Sequence, residues 1–436
     1  MDSVLPMSPN RKDKTSKQPT EWTLPASISH KNIKLEKSIL QEVLQMTSLG
    51  SHGCLFEHCT VTGIALYSNT LGYDSSEELS LLIKIFRNLK QYSPKGGLTS
   101  LHLRVAVGSE GPDKMLVEPD EFISWGPIWS AAQRTFTIVM EALDETQLPI
   151  LEHLDIFDGI QGCSLASDVF MSFAEGFPYT DLFGTLKKLS LSLSLPYEIR
   201  TDETERDNPL LYYRTNARVG DLLIPQDIFA VSRLMPKLES LNLHWYNIRN
   251  HAIPRPNRRL LLGDCLNERS MRLKECTLRG LEISQDYILD FIQTIQAPSV
   301  TLRNINLIFG TYKRLFAYMA SPDSPITSYH LEDLREGLQV VFFDVPGEPR
   351  HQYTDLGIGP SILTRGPDKV KKPLTYRFAM GRCIEPIDLI RWRIAYRAEY
   401  GSPVNSRPYD FVAMNSPLPE SEDPPNTTVG RRRRRR

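Results

Sequence analysis

The sequence predicts an α/β solenoid of stacked strand–helix units, irregular in repeat length, with parallel strands on a concave face and helices on a convex one. An apolar-x-x-apolar-x-apolar frame recurs along the chain, and segments of helical periodicity lie between the frames. No glycine-rich turn follows any of the predicted strands, which argues against a doubly wound sheet.

The frame is clearest in "PKLESLNLHWYNI", where leucines fall at Leu238, Leu241 and Leu243. This three-then-two spacing fits neither a plain amphipathic helix nor a simple alternating strand. The same frame can be laid on Val61/Ile64/Leu66, Leu98/Leu101/Leu103, Leu151/Leu154/Ile156, Leu186/Leu189/Leu191, Leu278/Leu281/Ile283 and Leu302/Ile305/Leu307. A single match is expected by chance, so the weight rests on number, order and context. Successive frames start 37, 53, 35, 52, 40 and 24 residues apart. All but the last spacing exceed the ~20–29 residues of a compact repeat, which places the excess in loops at the strand ends.

Helical periodicity marks "SSEELSLLIKIFRNLKQY", "FISWGPIWSAAQRTFTIVMEALDE", "ASDVFMSFAEGF", "PQDIFAVSRLM", "SQDYILDFIQTIQ" and "GTYKRLFAYMAS". In "YDSSEEL" and "EISQDYI" a serine precedes the first turn and an acidic residue lies within it, as helix starts favour. Each unit has an apolar stripe that it cannot bury alone, so neighbouring units must stack.

"VTGIALYSNTL", with Val61, Ile64, Leu66, Asn69 and Leu71, looks like a leucine-rich repeat, including the asparagine that satisfies backbone groups in the turn below the strand. The other frames have Ala106, Gly159, Ser194, Tyr246, Asp286 and Gly310 at the asparagine offset, so no continuous asparagine ladder is expected. Over residues 55–340 the chain resembles the degenerate leucine-rich-repeat region of fungal F-box/leucine-rich-repeat-like proteins. That resemblance implies the substrate-recognition arm of a ubiquitin ligase, with the ligase's adaptor subunit as a partner. An F-box would precede the repeats. Leu24, Pro25, Ile28, Ile39, Leu40, Val43 and Leu44 are similar to one, but the acidic residue that follows the proline in that module is missing. Residues 21–54 are therefore expected to be a helical N-terminal cap or a remnant F-box.

Composition sets the bounds around this core. The chain has 436 residues, 41% hydrophobic and 24% charged, as in ordinary globular proteins. It shows neither an apolar run of bilayer length nor a secretory signal, so a cytoplasmic or nuclear location without membrane association is expected. The cysteines, Cys54, Cys59, Cys163, Cys265, Cys276 and Cys383, are scattered and read as reduced thiols. Without the terminal "RRRRRR", 45 basic residues face 52 acidic ones and the formal charge is −7. Residues 1–20 and 414–436 are expected to be disordered, being rich in Pro, Ser and charge. The polyarginine end, Arg431–Arg436, is either a solvated tail or a contact for nucleic acid. Residues 341–413 read as a C-terminal cap: "LQVVFFDVPGE" as a strand, then an amphipathic helix in "PIDLIRWRIAYRAEYG".

Little in the sequence points to catalysis. His52, Cys54, His58 and Cys59 lie close together but fit no standard zinc spacing, and "DLGIGPS" lacks the strand, helix and lysine of a phosphate loop. No nucleophile–base arrangement is legible. A non-enzymatic protein without cofactor or metal is expected. The candidate partner-binding surface is "HWYNIRNHAIPRPNRRLLLGD". There Trp245 and Tyr246 leave a strand end, and Arg249, His251, Arg255, Arg258 and Arg259 follow; aromatic residues and arginine are the types enriched at interface hot spots. Trp245 could equally fill space between units. The acidic insertion "PYEIRTDETERDNPLLYYRT" could pair with this basic one. The functions these features support are a protein-binding ligase arm, a stand-alone interaction scaffold, or a nuclear protein touching nucleic acid through its tail.

Overall fold

The computed structural model describes residues 30–50, 53–65, 75–108, 116–119, 125–160, 162–176, 180–194, 234–246, 272–337, 339–344 and 361–378. The first part alternates strand and helix: β1 (His30–Lys34), α1 (Lys37–Thr47), β2 (His58–Ala65), α2 (Ser76–Tyr92), β3 (Leu98–Gly108), β4 (Leu116–Val117) and α3 (Trp125–Thr146). Next come β5 (Ile150–Ile156), β6 (Leu165–Ala166), α4 (Ser167–Gly176), α5 (Thr180–Phe183), β7 (Lys188–Ser194), β8 (Ser240–Tyr246) and β9 (Glu275–Arg279). The last part comprises β10 (Glu282–Ser284), α6 (Gln285–Ile295), β11 (Ser299–Arg303), β12 (Asn306–Phe309), α7 (Lys313–Ala320), β13 (Ser328–Glu332), β14 (Arg335–Glu336), β15 (Gln339–Phe343), β16 (Ile362–Arg365) and β17 (Tyr376–Phe378).

The expected mixed α/β architecture is present as a large, mostly parallel sheet of 12 strands and a second sheet of 5. In the large sheet the order is β1-β2-β3-β5-β7-β8-β9-β11-β13-β16, so the chain adds strands in sequence from one edge to the other. All pairs along this path are parallel except the last, where β16 runs antiparallel to β13. The helices follow the same progression, with α1 against α2, α2 against α3, and α3 on β2 and β3.

Register explains why the stack holds. Ile33, Val61, Leu103, Ile156, Leu191, Leu243, Leu278, Leu302, Leu331 and Leu363 are paired in turn across the whole sheet. Every one of them is at most 2% exposed. A one-residue slip of β1, β2, β3, β7, β8, β9, β11 or β13 would carry a polar residue into this row and its apolar partner out of it.

This register moves three of the sequence frames. Val61 pairs with Leu103, the third position of its frame, so the β2 unit reads Phe56/Cys59/Val61 rather than Val61/Ile64/Leu66. Likewise Leu278 and Leu302 fall in register with Leu243, so those units read Leu273/Cys276/Leu278 and Ala297/Val300/Leu302. Both alignments fit the same spacing, and cysteine or alanine in place of leucine hid the paired one. Of the first frame's remaining residues, Leu66, Asn69 and Leu71 lie outside the described residues.

Leu281, Ile283, Ile305 and Leu307 serve the second sheet, in which β10, β12 and β14 are parallel and β15 and β17 continue antiparallel. Between the sheets the backbone turns at Gly280 (φ 76), Asn304 (φ 51) and Asp333 (φ 50), one residue beyond the paired Arg279, Arg303 and Glu332. Left-handed φ favours these three residue types, because Gly has no Cβ and the short Asn and Asp side chains tolerate the conformation.

The expected helices form wherever they are described, although "PQDIFAVSRLM" lies largely outside the described residues, as does the amphipathic helix after residue 386. Ser75 and Ser284 occupy the N-cap positions of α2 and α6 without side-chain capping bonds; Glu77, Glu78 and Asp286 supply the first-turn charge. Residues 30–47, within the segment expected to be a helical cap, contribute strand β1 as well as α1, because Ile33 continues the apolar row. No helix among the described residues is long and apolar enough to cross a membrane.

The contact between α3 and β2 has no spare room, since a Cβ at Gly63 would fall on Thr135 Oγ1. Gly63→Ala is expected to lower unfolding free energy by about 1–3 kcal/mol, with Thr135→Ala in the same chain restoring part of it; strict additivity in urea unfolding would refute the clash. Leu302→Ala is expected to cost about 2–5 kcal/mol, against about 0.5 kcal/mol or less for Thr301→Ala on the other face.

Candidate functional site

Alternation along each strand puts polar side chains opposite the apolar row. They form three rows across the large sheet, read from register. One holds His30, His58, Ser100, His153, Lys188, Ser240 and Glu275; the second holds Asn32, Thr60, His102, Asp155, Ser190, Asn242, Thr277, Thr301 and His330. The third, at the C-terminal ends of the strands, includes Lys34, Thr62, Arg104, Ser192, His244, Arg279, Arg303 and Glu332. His30, His58, His102, His153, His244 and His330 thus share one face, out of 9 histidines in the chain.

The centre of this face is a network of charged groups. Arg104 donates to Asp155 at 3.1 and 2.7 Å, and also to the Asp158 carbonyl. Asp158 accepts from Asn242 Nδ2 at 2.7 Å and pairs with Arg279, so the turn after β5 reaches across to β8 and β9. Burial works against the Asp155 charge, but hydrogen bonds from His102 and Arg104 hold its carboxyl below the ordinary range. At Asp158 burial prevails and the carboxyl is raised, despite the Arg279 guanidinium. Toward the far end Arg303 donates to Glu332 at 2.6 Å; the bond from His330 and the nearby arginine bring that carboxyl down to about 2.

The histidines hydrogen-bond to hydroxyls on adjacent strands. His30 Nε2 lies 2.9 Å from Thr60 Oγ1, His58 Nδ1 2.8 Å from Ser100 Oγ, and His153 Nε2 3.3 Å from Ser190 Oγ. His102 packs edge-on against His153, ring centres 5.0 Å apart. Burial, then the positive field of His102 and Lys188, pushes the His153 imidazole down to about 4. His30 is lowered as well, by burial and by His102 and His58.

Three of these groups stand in the order of a nucleophile triad, which the sequence did not show. His102 Nδ1 is 3.1 Å from Asp155 Oδ2, and His102 Nε2 is 3.1 Å from Ser100 Oγ. The residues lie on two strands 53 positions apart, and only register brings them together. Chemistry of that kind also needs N–H donors aimed at a developing oxyanion. Ser100 is 5% exposed, its own N–H is bonded to the Glu57 carbonyl, and His58 shares its hydroxyl. The trio therefore reads as one link in the polar network.

The residues singled out in the sequence are placed differently. Trp245 and Tyr246 are 3% and 2% exposed, with Tyr246 Oη donating to the Ile160 carbonyl and its ring 4.3 Å from that of His244. They were expected to meet a partner, but both are buried: Trp245 belongs to the hydrophobic core, and Tyr246 is tied to the turn after β5. Arg249, His251, Arg255, Arg258, Arg259 and Arg431–Arg436 lie outside the described residues, as does the acidic insertion after β7. Cys54 and Cys59 are buried free thiols, Cys59 pushed up to about 12 by burial, while His58 turns to Ser100 and His52 lies outside the described residues. No group of three or more metal-ligating side chains occurs among the described residues. No protein-family model matches the chain, and comparison with curated proteins and with solved structures gives no match.

The sign of the pH response follows from these shifts. His153 titrates lower in the folded state than the ordinary ~6.5, so its contribution is present above that value and is lost as pH falls toward about 4. Glu332, low in the folded state, loses its contribution only below ~4.5, as pH falls toward about 2. Urea midpoints are expected to start falling at about pH 6.5, with a shallower fall in His153→Gln; equal slopes would remove His153 from the account.

Proposed function

We propose that this chain is a non-catalytic, leucine-rich-repeat-like solenoid that recognises a protein partner on the polar face of its large sheet. The observation that carries the reading is the chemistry of that face. Parallel sheets usually have both faces covered and read as continuous apolar runs, whereas here three register rows between β1 and β13 hold polar or charged residues on one side. Stacked repeats present such surfaces to partners. Strands added in sequence order, and helices that follow the same order, support the solenoid part of the reading.

The ligase-arm reading rests on the likeness of the repeat frames to fungal F-box proteins. The strand–helix unit at residues 30–47 favours the stand-alone scaffold, since β1 and α1 pair with β2 and α2 as further members of the stack. A cytoplasmic or nuclear site of action accords with this role, and the arginine end is a separate candidate for contact with nucleic acid.

Thr277 and Thr301 are register partners on the polar face, while Arg87 lies on α2 and pairs with Glu145 at 2.7 Å. Proteins recovered with the intact chain from its native cells are expected to be lost with Thr277→Arg plus Thr301→Arg and kept with Arg87→Ala, at unchanged thermal midpoints. Loss with Arg87→Ala alone would move the interface to the helices. Recovery of a ligase adaptor, abolished by Leu24→Ala with Pro25→Ala, would establish the ligase arm; its absence among retained partners would leave the scaffold.

A further inference from the structure

Four strands adjacent in the sheet, β1, β2, β3 and β5, each carry an imidazole on the polar face: His30, His58, His102 and His153. At ~4.8 Å between strands the four positions span about 15 Å. Among the described residues His30 is exposed and the other three are partly exposed, in contrast to His244, which is 2% exposed. Each ring lends a nitrogen to the hydroxyl of Thr60, Ser100 or Ser190. A doubly protonated imidazole has a second N–H to satisfy.

At His102 the second nitrogen meets Asp155; at His30, His58 and His153 the charged groups around the rings leave that need unmet. Lys34 on β1, Arg104 on β3 and Lys188 on β7 are all cationic. The neighbouring carboxylates are Glu57, held by Lys95 at 2.6 Å, and Asp155, held by Arg104 at 2.7 Å as well as by His102. Protonation therefore adds positive charge where the nearby carboxylates are already taken; burial first, and then the rings' mutual repulsion, lower His30 and His153. Carboxylates brought by a ligand would reverse that opposition and accept the outward N–H groups.

We propose that this histidine-bearing end of the sheet docks an acidic peptide, a segment rich in Asp or Glu, and that docking strengthens as the imidazoles take up protons. The inference rests on the partner-binding role proposed for the polar face and adds the partner's chemistry. Binding and proton uptake are then linked, so that falling pH raises affinity and the bound peptide raises the pH at which the rings charge.

The test uses the full chain and a fluorescein-labelled decapeptide of alternating Glu and Ser, titrated by anisotropy at about pH 7.5 and about pH 5.0, a range that reaches toward the lowered imidazoles while most of the peptide's carboxylates stay ionised. Affinity is expected to rise about tenfold at the lower pH and to weaken with added salt. Replacing His30, His58 and His153 by Asn together should abolish the rise. His30→Gln, at an exposed position, should reduce it by about twofold even if the triple variant fails to fold. Deleting Arg431–Arg436 should lower affinity at both pH values or neither, leaving the ratio intact. A pH-independent affinity, a rise that survives the triple variant, or a rise that disappears with the arginine tail would each overturn the proposal. Loss of native partners by the Thr277/Thr301 variant, alongside a flat pH response, would overturn this inference while leaving the polar face as the interface.

Discussion

The structure depends on one row of side chains. From Ile33 to Leu363 a single register position is apolar and buried in every strand along the path of the large sheet. Each of these residues covers its neighbours on either side, so no unit has a core of its own. Hydrophobic burial at about 25 cal/mol per Å² is then shared along the stack rather than concentrated in a centre. The same row fixes which backbone groups pair, which face turns polar, and where the chain can leave the sheet. Connections as different in length as those from β7 to β8 and from β11 to β13 return to the same register, because placing a polar residue in the row is costly.

Once the row is set, the opposite face must satisfy itself, and it does so across strands. Hydroxyls at Thr60, Ser100 and Ser190 meet imidazoles from the strand before, while Arg104, Asn242 and Arg279 converge on two aspartates of β5 and its turn. Asp155 and Asp158 are the junction. The first is reached from its neighbour β3; the second is reached over β7 from β8 and β9. Removing either carboxylate would leave a guanidinium without its counter-charge in a half-buried setting, which costs more than an exposed pair contributes. These ties join residues 51, 84 and 121 positions apart, so the polar face reports that the stack has assembled in order.

How much of this was legible follows from what each signal encodes. The leucine spacing marked β2, β3, β5, β7, β8, β9 and β11 but not β1, β13 or β16, and the apolar periodicity gave α2, α3, α4, α6 and α7 close to their observed bounds, because both patterns are local. Frame choice was not local. Phe56/Cys59/Val61 and Val61/Ile64/Leu66 share the same spacing, and only pairing with Leu101 and Leu103 decides between them. The aromatic pair Trp245–Tyr246 misled for a related reason. Large rings at a strand end suit an interface or a packed interior equally well; for Tyr246 the choice is made by Ile160, 86 positions away in sequence, and Trp245 joins the core. The histidines were visible one by one, but their shared face is a property of register, to which a reading of single segments is blind.

That face also bears on the docking role proposed for it. Side chains fixed on a parallel sheet and bonded to one another are preorganised, so a partner docking there would meet them without ordering loops first. The two ends differ in chemistry. At the β1 end the rows hold imidazoles and cations; at the β13 end Arg303, His330 and Glu332 already neutralise one another, and β16 closes the edge through Thr364. A ligand's carboxylates would be redundant at the β13 end and complementary at the β1 end. On the proposal that an acidic peptide docks here, this asymmetry would place it over the β1 end, because at the β13 end its charges would meet Glu332 instead of the imidazoles. That placement would follow from the order in which the strands are laid down, the same order that the apolar row enforces beneath it.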